Sequence, residues 1–327
     1  MERALWFVRP GEVELRREPA ASDAPPAGEL DAVGLASGIS QGTELLLYRG
    51  EGTTPFDPSL DAPGQPTYPR RYGYAWVGEV THAGEGVSIP VGTRIFALAP
   101  HGDRRRFRSD QVRVLSKGVP VARATLAANL ETAVTALWDS GVTLGDRVII
   151  CGAGIVGLLV TRLAVRAGAQ HVIVIEPSEK RRQAALAMGA SLALPPDHGR
   201  ELGLADVVFE MSGKPECLSR CFDYCGDQGH VVVVSNYGSR AAPVMLGGVF
   251  HRRRLRLISS QVSALPAGRQ PRWDHARRFD VVRSLLTDTT LDELIEPALP
   301  FAAAPEVYRR LAERGADALH VLFQYGA

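Results

Sequence analysis

The chain has 327 residues, of which 45% are hydrophobic and 22% are charged, as in a soluble globular protein with room for two domains. The formal net charge is +1, so no global field favours nucleic acid or an anionic membrane as a partner. The start of the chain, MERALWFVRP, lacks the long apolar segment of a signal peptide, and no apolar run approaches the ~20 residues of a membrane helix. We therefore expect a cytoplasmic protein.

Residues 1–120 are rich in glycine and proline and contain short alternating stretches at 93–99 and 110–115. This pattern predicts an irregular, β-rich domain. From about residue 124 the pattern changes, and residues 124–141 show helical periodicity. A helix near 304–314 and a strand at 318–325 close the chain.

Between these regions, short and fully apolar strands alternate with helices. The expected helices cover 154–168, 178–188 and about 215–225, and strands precede each of them. This alternation predicts an α/β fold with a parallel, doubly wound sheet. Three of the four cysteines, Cys217, Cys221 and Cys225, are spaced as one stripe of a helix, which favours core packing over the close pairs typical of zinc sites.

The strongest motif is CGAGIVG at 151–157, which follows an apolar strand and opens a helix. Gly152 permits a tight turn, Gly154 lets the backbone approach a pyrophosphate, and Gly157 lets helix and strand pack closely. The helix start, with Ile155 and Val156, offers backbone N–H groups to the phosphates. The motif predicts a dinucleotide site, whereas a glycine turn without a ligand is the alternative.

Cofactor choice depends on Glu176, which ends the second strand about 20 residues after the motif. A carboxylate there accepts hydrogen bonds from the ribose hydroxyls and repels a 2′-phosphate, which favours NAD over NADP. Lys180, Arg181 and Arg182 follow closely and offer cations to a phosphate, although they also suit a solvated helix start. We predict NAD, with Arg181 among the cofactor-binding residues.

Nearly the whole chain resembles the medium-chain dehydrogenase/reductase superfamily. The motifs that carry the resemblance are GISQGTELLLYRG (38–50), YGYAWVGEV (72–80), GTRIFALAP (92–100), ANLETAVTAL (128–137), CGAGIVG and GHVVVVSNYG (229–238). The resemblance implies a GroES-like catalytic domain formed by 1–122 and 263–327, a Rossmann domain at 123–262, and a homodimer.

Within the superfamily, the chain resembles the zinc-lacking branch that contains bacteriochlorophyllide a dehydrogenase. In zinc-dependent members a cysteine, a His-Glu pair and a second cysteine stand at the catalytic metal. The matching positions here hold Ser40 and Gln41, Tyr74 and Ala75, and Glu131. Because these positions offer neither thiolate nor imidazole, we expect no zinc.

Without a metal, side chains have to handle the alkoxide and its proton. Tyr74 is the expected donor to a developing oxyanion, with a wall residue as the alternative. Glu131 is the expected general base, with a structural carboxylate held by backbone N–H groups or an arginine as the alternative. Thr43 matches the hydroxyl of the family's proton relay, and Thr135 matches a threonine that packs on the nicotinamide or, alternatively, in the helix core.

The sequence therefore predicts a zinc-independent, NAD-dependent oxidoreductase that interconverts a secondary alcohol and a ketone on a small-molecule substrate, a polar or anionic metabolite. One alternative is an NADPH-dependent reductase of an activated C=C bond, and another is a dinucleotide-binding protein without turnover. His101 is a weaker candidate for a proton carrier, since an isolated histidine is more often structural. Specificity is expected in loops 50–70 and 262–280.

Overall fold

The computed structural model describes residues 2–19, 21, 23–52, 67–313 and 317–326, without the side chains of 199–201. Most of the predicted specificity loop at 50–70 lies outside the described residues. The chain forms two compact units, the first made of 1–128 and 295–327 and the second of 129–294. The division into catalytic and Rossmann domains at 122/123 and 262/263 stays a prediction.

The strands of the described ranges are β1 (Glu2–Arg9), β2 (Glu12–Glu18), β3 (Glu29–Gly38), β4 (Arg70–Arg71), β5 (Trp76–Ala83), β6 (Arg94–Ala97), β7 (Arg104–Arg108), β8 (Val112–Val114), β9 (Arg147–Cys151), β10 (His171–Ile175), β11 (Leu192–Leu194), β12 (Ala205–Glu210), β13 (Cys225–Val233), β14 (Arg256–Ser259), β15 (Leu299–Pro300) and β16 (Leu322–Gln324). The α-helices are α1 (Gln41–Arg49), α2 (Val121–Ala124), α3 (Ala127–Ser140), α4 (Ile155–Arg166), α5 (Glu179–Ala187), α6 (Leu218–Tyr224), α7 (His275–Leu285) and α8 (Ala304–Ala312). Within the described part of the chain, none of the helices has the length and apolarity needed to span a membrane.

The first unit is built on β-sheets, as predicted from its sequence. One sheet has the order β15-β16-β3-β5-β6-β8, with β7 also paired to β3, and a smaller sheet has the order β2-β1-β4. In β3, buried residues alternate with partly exposed ones, as expected for a strand with one face on a core. The aromatic side chains of that core include Phe7, Trp76, Tyr308 and Phe323.

Helix α1 departs from the β-rich expectation. It ends at Gly50, which adopts a left-handed conformation (φ 73°) and donates its N–H to the Leu47 carbonyl at 3.0 Å. A Cβ added to Gly50 would lie 2.9 Å from the Pro10 ring, so both backbone and space favour glycine. The helix places Thr43, which is partly exposed, and Glu44, which is fully buried, in its first turn.

The second unit confirms the predicted doubly wound sheet. Its six strands are parallel in the order β11-β10-β9-β12-β13-β14. The strand order reverses between β9 and β12, and the carboxyl ends of strands at such a switch point form the usual ligand crevice of α/β sheets. Helices α4 and α5 begin and end within one or two residues of their predicted bounds.

The cysteine stripe is only partly helical. Helix α6 ends at Tyr224, and Cys225 begins β13, so the three cysteines do not lie on one helix as predicted. Cys151, Cys221 and Cys225 are buried in the apolar core of the second unit. The extended backbone at Cys225 is set by pairing of β13 with β12, which local periodicity does not report.

Candidate dinucleotide site and hydroxyl cluster

The glycine-rich turn lies at the carboxyl end of β9. A Cβ on Gly152 (φ 109°) would lie 2.6 Å from the Met211 carbonyl oxygen, and a Cβ on Gly157 would lie 2.2 Å from the Gly152 oxygen. The protein's own backbone therefore excludes a side chain at these two positions. A Cβ on Gly154 (φ −67°) meets no atom of the described residues within 4 Å. Space outside the chain is thus left open where a pyrophosphate is predicted to approach.

Glu176 is fixed directly to this turn. Its Oε2 accepts the Ala153 N–H at 2.8 Å, and its Oε1 accepts the Ser178 N–H at 3.0 Å. The residue is 4% exposed, and β10 carries it to the edge of the sheet beside β9. The acid predicted to bind the ribose therefore also orders the peptide between Gly152 and Gly154.

The neighbouring cations differ in their contacts. Arg182 donates through Nη1 to the carbonyls of Glu176 (2.9 Å) and Pro177 (2.7 Å), and its Nη2 pairs with Glu179. The backbone N–H of Arg181 donates to the Ser178 hydroxyl, which caps α5. The Arg182 side chain is thus bonded to groups at the start of its own helix, α5. A phosphate contact of Arg181 stays a prediction.

In the first unit, the two catalytic candidates Tyr74 and Thr43 lie together. The Tyr74 hydroxyl donates to Ser40 Oγ and lies 3.2 Å from Thr43 Oγ1. Ser40 immediately precedes α1, and Thr43 lies in its first turn. Burial raises the pKa of Tyr74 to about 12, so the phenol is a hydrogen-bond donor at neutral pH rather than a base. We refer to Tyr74, Ser40 and Thr43 as the hydroxyl cluster.

At two of the three positions that hold zinc in zinc-dependent members, Ser40, Gln41, Tyr74 and Ala75 offer no thiolate, imidazole or carboxylate. Ser40 and Tyr74 bond to one another through neutral hydroxyls, and the Gln41 amide donates to the carbonyls of Ala318 (3.2 Å) and Leu319 (2.5 Å). Structural and catalytic zinc is held by thiolate, imidazole or carboxylate ligands. Among the described residues, no group of three or more His, Cys, Asp and Glu side chains is arranged to hold a metal ion.

Glu131 and Thr135 lie together in the second unit and share one partner that the sequence did not predict, Arg278. Arg278 donates to Glu131 Oε1 through Nη2 (2.9 Å) and Nε (3.2 Å), and through Nη1 to the Thr135 hydroxyl (3.1 Å). Its Nη1 also reaches the Val262 carbonyl at 2.6 Å. All three side chains are buried.

This arrangement corresponds to the structural alternatives weighed for both residues. The Thr135 hydroxyl donates to the Glu131 carbonyl at 2.9 Å, one turn earlier in α3, and accepts from Arg278. The Glu131 carboxylate is held by an arginine. Arg278 ends the polar stretch RWDHARR (272–278), and nothing in this local sequence marks it as buried. Catalytic and nicotinamide-contacting roles for Glu131 and Thr135 stay predictions.

Comparison with known proteins shows that this chain is similar to dehydrogenases. Residues 156–278 match the family model described as zinc-binding dehydrogenase, and this match does not include positions 40, 41, 74, 75 and 131. D-guloside 3-dehydrogenase of Escherichia coli (strain K12) is 26% identical over 253 residues, covering 73% of this chain and 72% of that protein.

Two solved structures share the fold over 99% of both chains. One is described as a zinc-binding dehydrogenase from Sinorhizobium meliloti 1021 bound to NADP (TM-score 0.82, 22% identity). The other is described as a short chain alcohol dehydrogenase from Escherichia coli CFT073 complexed with NADH (TM-score 0.78, 18% identity).

The doubly wound unit with its glycine-rich turn has the arrangement of a dinucleotide-binding domain. The similarity to named dehydrogenases supports the class of nicotinamide dinucleotide-dependent oxidoreductases. Residues 156–278 are thus similar to the zinc-binding dehydrogenase family, and membership of the medium-chain dehydrogenase/reductase superfamily stays a prediction. The zinc-lacking branch within it stays a prediction.

Proposed function

We propose that the protein is a zinc-independent, NAD(H)-dependent oxidoreductase that interconverts a secondary alcohol and a ketone on a polar metabolite. The observation that carries the proposal is the hydroxyl cluster, in which the neutral hydroxyls of Ser40 and Tyr74 stand where zinc-dependent members have two zinc ligands. The guloside dehydrogenase relative supports a polar, hydroxylated substrate. A negative charge on the substrate stays a prediction from the sequence.

The second unit supplies the cofactor site in this proposal. Gly152, Gly154 and Gly157, with Ile155 and Val156 at the start of α4, hold the pyrophosphate. Glu176 accepts the ribose hydroxyls, and its negative charge disfavours a 2′-phosphate. Bound NAD⁺ supplies the hydride acceptor.

The first unit supplies the groups for the substrate oxygen. The Tyr74 O–H donates to the oxygen as negative charge develops, a role that a protonated phenol can fill at neutral pH. Thr43 and Ser40 keep the phenol oriented and offer hydroxyls through which the alcohol proton leaves. In the second unit, Glu131 is proposed as a general base and Thr135 as a nicotinamide contact, with Arg278 fixing both side chains.

The proposal is tested with metal-stripped protein, NAD⁺ and a panel of polyols and sugar glycosides with free secondary hydroxyls, followed by NADH formation. We expect turnover without added zinc, and a loss of about 10²-fold in kcat/KM on Tyr74→Phe because one oxyanion donor is removed. Tyr224→Phe is the matched control, since this tyrosine lies in the second unit, at the end of α6. Dependence of turnover on added Zn²⁺, or full activity of Tyr74→Phe, contradicts the proposal.

A second candidate is an NADPH-dependent reductase of an activated C=C bond. The NADP-bound neighbour and the cations at 180–182 favour it. Marked NADPH preference together with reduction of quinones or enones would replace the alcohol-dehydrogenase proposal. Tight NADH binding without turnover of any substrate, and with no effect of Tyr74→Phe or Glu131→Gln, would indicate a dinucleotide-binding protein without catalysis.

We also propose a cytoplasmic homodimer. Strand β14 is an edge of the parallel sheet in the second unit, and Leu257 on it is 42% exposed. Met245, in the segment before it, is 76% exposed. Light scattering of the purified protein at several concentrations tests the dimer, and a monomeric mass throughout contradicts it.

A further inference from the structure

A connected group of buried polar side chains lies beside the hydroxyl cluster in the first unit. Ser37, Glu44, His101 and Tyr308 are fully buried, and Tyr325 is 5% exposed. Burial of polar groups is costly unless they are hydrogen-bonded. Each of these five side chains has a hydrogen-bonding partner within the group, which we call the buried network.

The hydrogen bonds of the buried network run in one direction. Tyr325 Oη accepts the Gly102 N–H at 3.0 Å, which leaves its own proton for Ser37 Oγ at 2.5 Å. Ser37 then donates to His101 Nδ1 at 2.6 Å. A neutral imidazole with its proton on Nε2 donates to Glu44 Oε2 at 3.0 Å, and this tautomer satisfies every member of the chain.

Glu44 is the acceptor on which the network converges. Besides His101, the Tyr308 hydroxyl donates to Oε2, and the Ser40 N–H donates to Oε1 at 2.9 Å. Burial is the main cause that raises the pKa of Tyr308 well above its ordinary value, and the nearby negative charge of Glu44 is the second cause. The Tyr308 hydroxyl therefore keeps its proton and donates it to a hydrogen bond. Three hydrogen bonds to the Glu44 carboxylate compensate the cost of burying it and fix its orientation.

Two of these donors border Tyr74. Ser40, held by Glu44 through its backbone, provides the hydroxyl that accepts from Tyr74. The His101 ring lies against Gly73, where an added Cβ would be 2.7 Å from His101 Cδ2 and φ is +123°. The Glu44 carboxylate thus holds Ser40, which accepts from the Tyr74 hydroxyl, and also the His101 ring, which packs on Gly73, the residue before Tyr74.

We propose that Glu44 is a positioning residue for the Tyr74 hydroxyl, and that His101 and Tyr308 fix Glu44 for this task. The proposal rests on the proposed function, in which Tyr74 serves the substrate oxygen. In this proposal, a buried carboxylate fixes the orientation of the hydroxyl that serves the reacting oxygen.

The test observes the Tyr74 phenol directly and needs no substrate. Protein labelled with tyrosine ¹³C at Cζ is compared by NMR as wild type, Glu44→Gln and Glu210→Gln, and the Tyr74 resonance is the one missing from Tyr74→Phe. Glu210 is an equally buried carboxylate in the second unit and is the matched control. We expect Glu44→Gln to displace the Tyr74 resonance and Glu210→Gln to leave it in place.

An unchanged Tyr74 resonance in folded Glu44→Gln overturns the proposal. If Glu44→Gln does not fold, Tyr308→Phe takes its place, because it removes one donor to Glu44 Oε2 and keeps the ring packed on Phe7 and Tyr48. An unchanged resonance in that variant overturns the proposal equally.

Kinetics separate this proposal from the proposed function. With an oxidised alcohol in hand, Glu44→Gln should lower kcat about tenfold or more through misplacement of the donor, and should cause no further loss in Tyr74→Phe. Equal losses in both backgrounds indicate a merely structural Glu44 and overturn the positioning role. A displaced resonance together with full activity of Tyr74→Phe overturns the proposed function instead.

Discussion

The guanidinium of Arg278 donates two hydrogen bonds to one oxygen of Glu131, and both side chains are buried in the second unit. A buried ion pair contributes little net stability relative to apolar side chains of similar size, yet breaking it leaves an uncompensated charge. The pair therefore constrains both residues more than it stabilises the fold.

Replacement of either partner alone is expected to destabilise the fold strongly. Arg278→Met should lower the free energy of unfolding by about 3–5 kcal/mol, since Glu131 is left buried without its counter-ion. The double variant Glu131→Met, Arg278→Met should be less destabilised than Arg278→Met. Urea denaturation measures both, with Arg108→Met as the control, because its pair with Asp110 is exposed and worth about 1 kcal/mol or less. Additive losses in the double variant would show that the two residues are not coupled.

The three glycines of the turn should separate stability from cofactor binding. In Gly157→Ala the added Cβ meets the Gly152 carbonyl, so we expect a loss of about 1–3 kcal/mol in stability. In Gly154→Ala the new methyl meets no described atom, so stability should stay within about 1 kcal/mol while NADH affinity falls. Thermal melts and NADH titration of each variant provide the two readouts. Wild-type NADH affinity in Gly154→Ala would place the pyrophosphate elsewhere.

Glu176→Gln should weaken NADH binding by about 10–100-fold, because a charged hydrogen-bond acceptor of the ribose is lost. NADPH affinity should fall less or rise, since the repulsion of a 2′-phosphate is removed with the charge. Fluorescence titration with both cofactors measures the ratio, and Glu306→Gln, an exposed acid of the first unit, is the control. An unchanged NADH-to-NADPH ratio would remove Glu176 from ribose recognition.

His320 should make stability depend on pH. Burial lowers the pKa of His320 from 6.5 to about 4, so the unfolded chain binds the proton more tightly between these values. Stability from this residue is full above pH 6.5 and declines as the pH falls towards 4, by about 3 kcal/mol in all. Denaturation at pH 7 and pH 4.5 should show a smaller difference in His320→Gln than in wild type. His198→Gln, at an exposed position, should keep the wild-type difference, and an equal difference in all three proteins would contradict the assignment.

The fold of the second unit was predictable because its information is local. Apolar strands such as β9, and the glycine-rich turn, can be recognised from a few consecutive residues. Helix α1 was not predictable in the same way. Its Glu44 is stabilised in the core by His101 and Tyr308, which stand 57 and 264 positions away in the chain.

The site was predictable only in part for the same reason. Family resemblance brought Tyr74, Thr43 and Ser40 to one region, and the structure joins them by hydrogen bonds. Glu131 was chosen because it replaces a cysteine, but its partner Arg278 lies 147 positions later and carries no local mark of burial. Pairs of this kind are fixed by tertiary packing and are invisible to periodicity.

The most direct measurement is a fluorescence titration of metal-stripped protein with NADH and, separately, with NADPH. A protein that binds NAD(H) through the 151–157 turn and Glu176, without a metal, should bind NADH much more tightly than NADPH. NADPH preference, or NADH binding that appears only after zinc is added back, would contradict the zinc-independent, NAD-linked function.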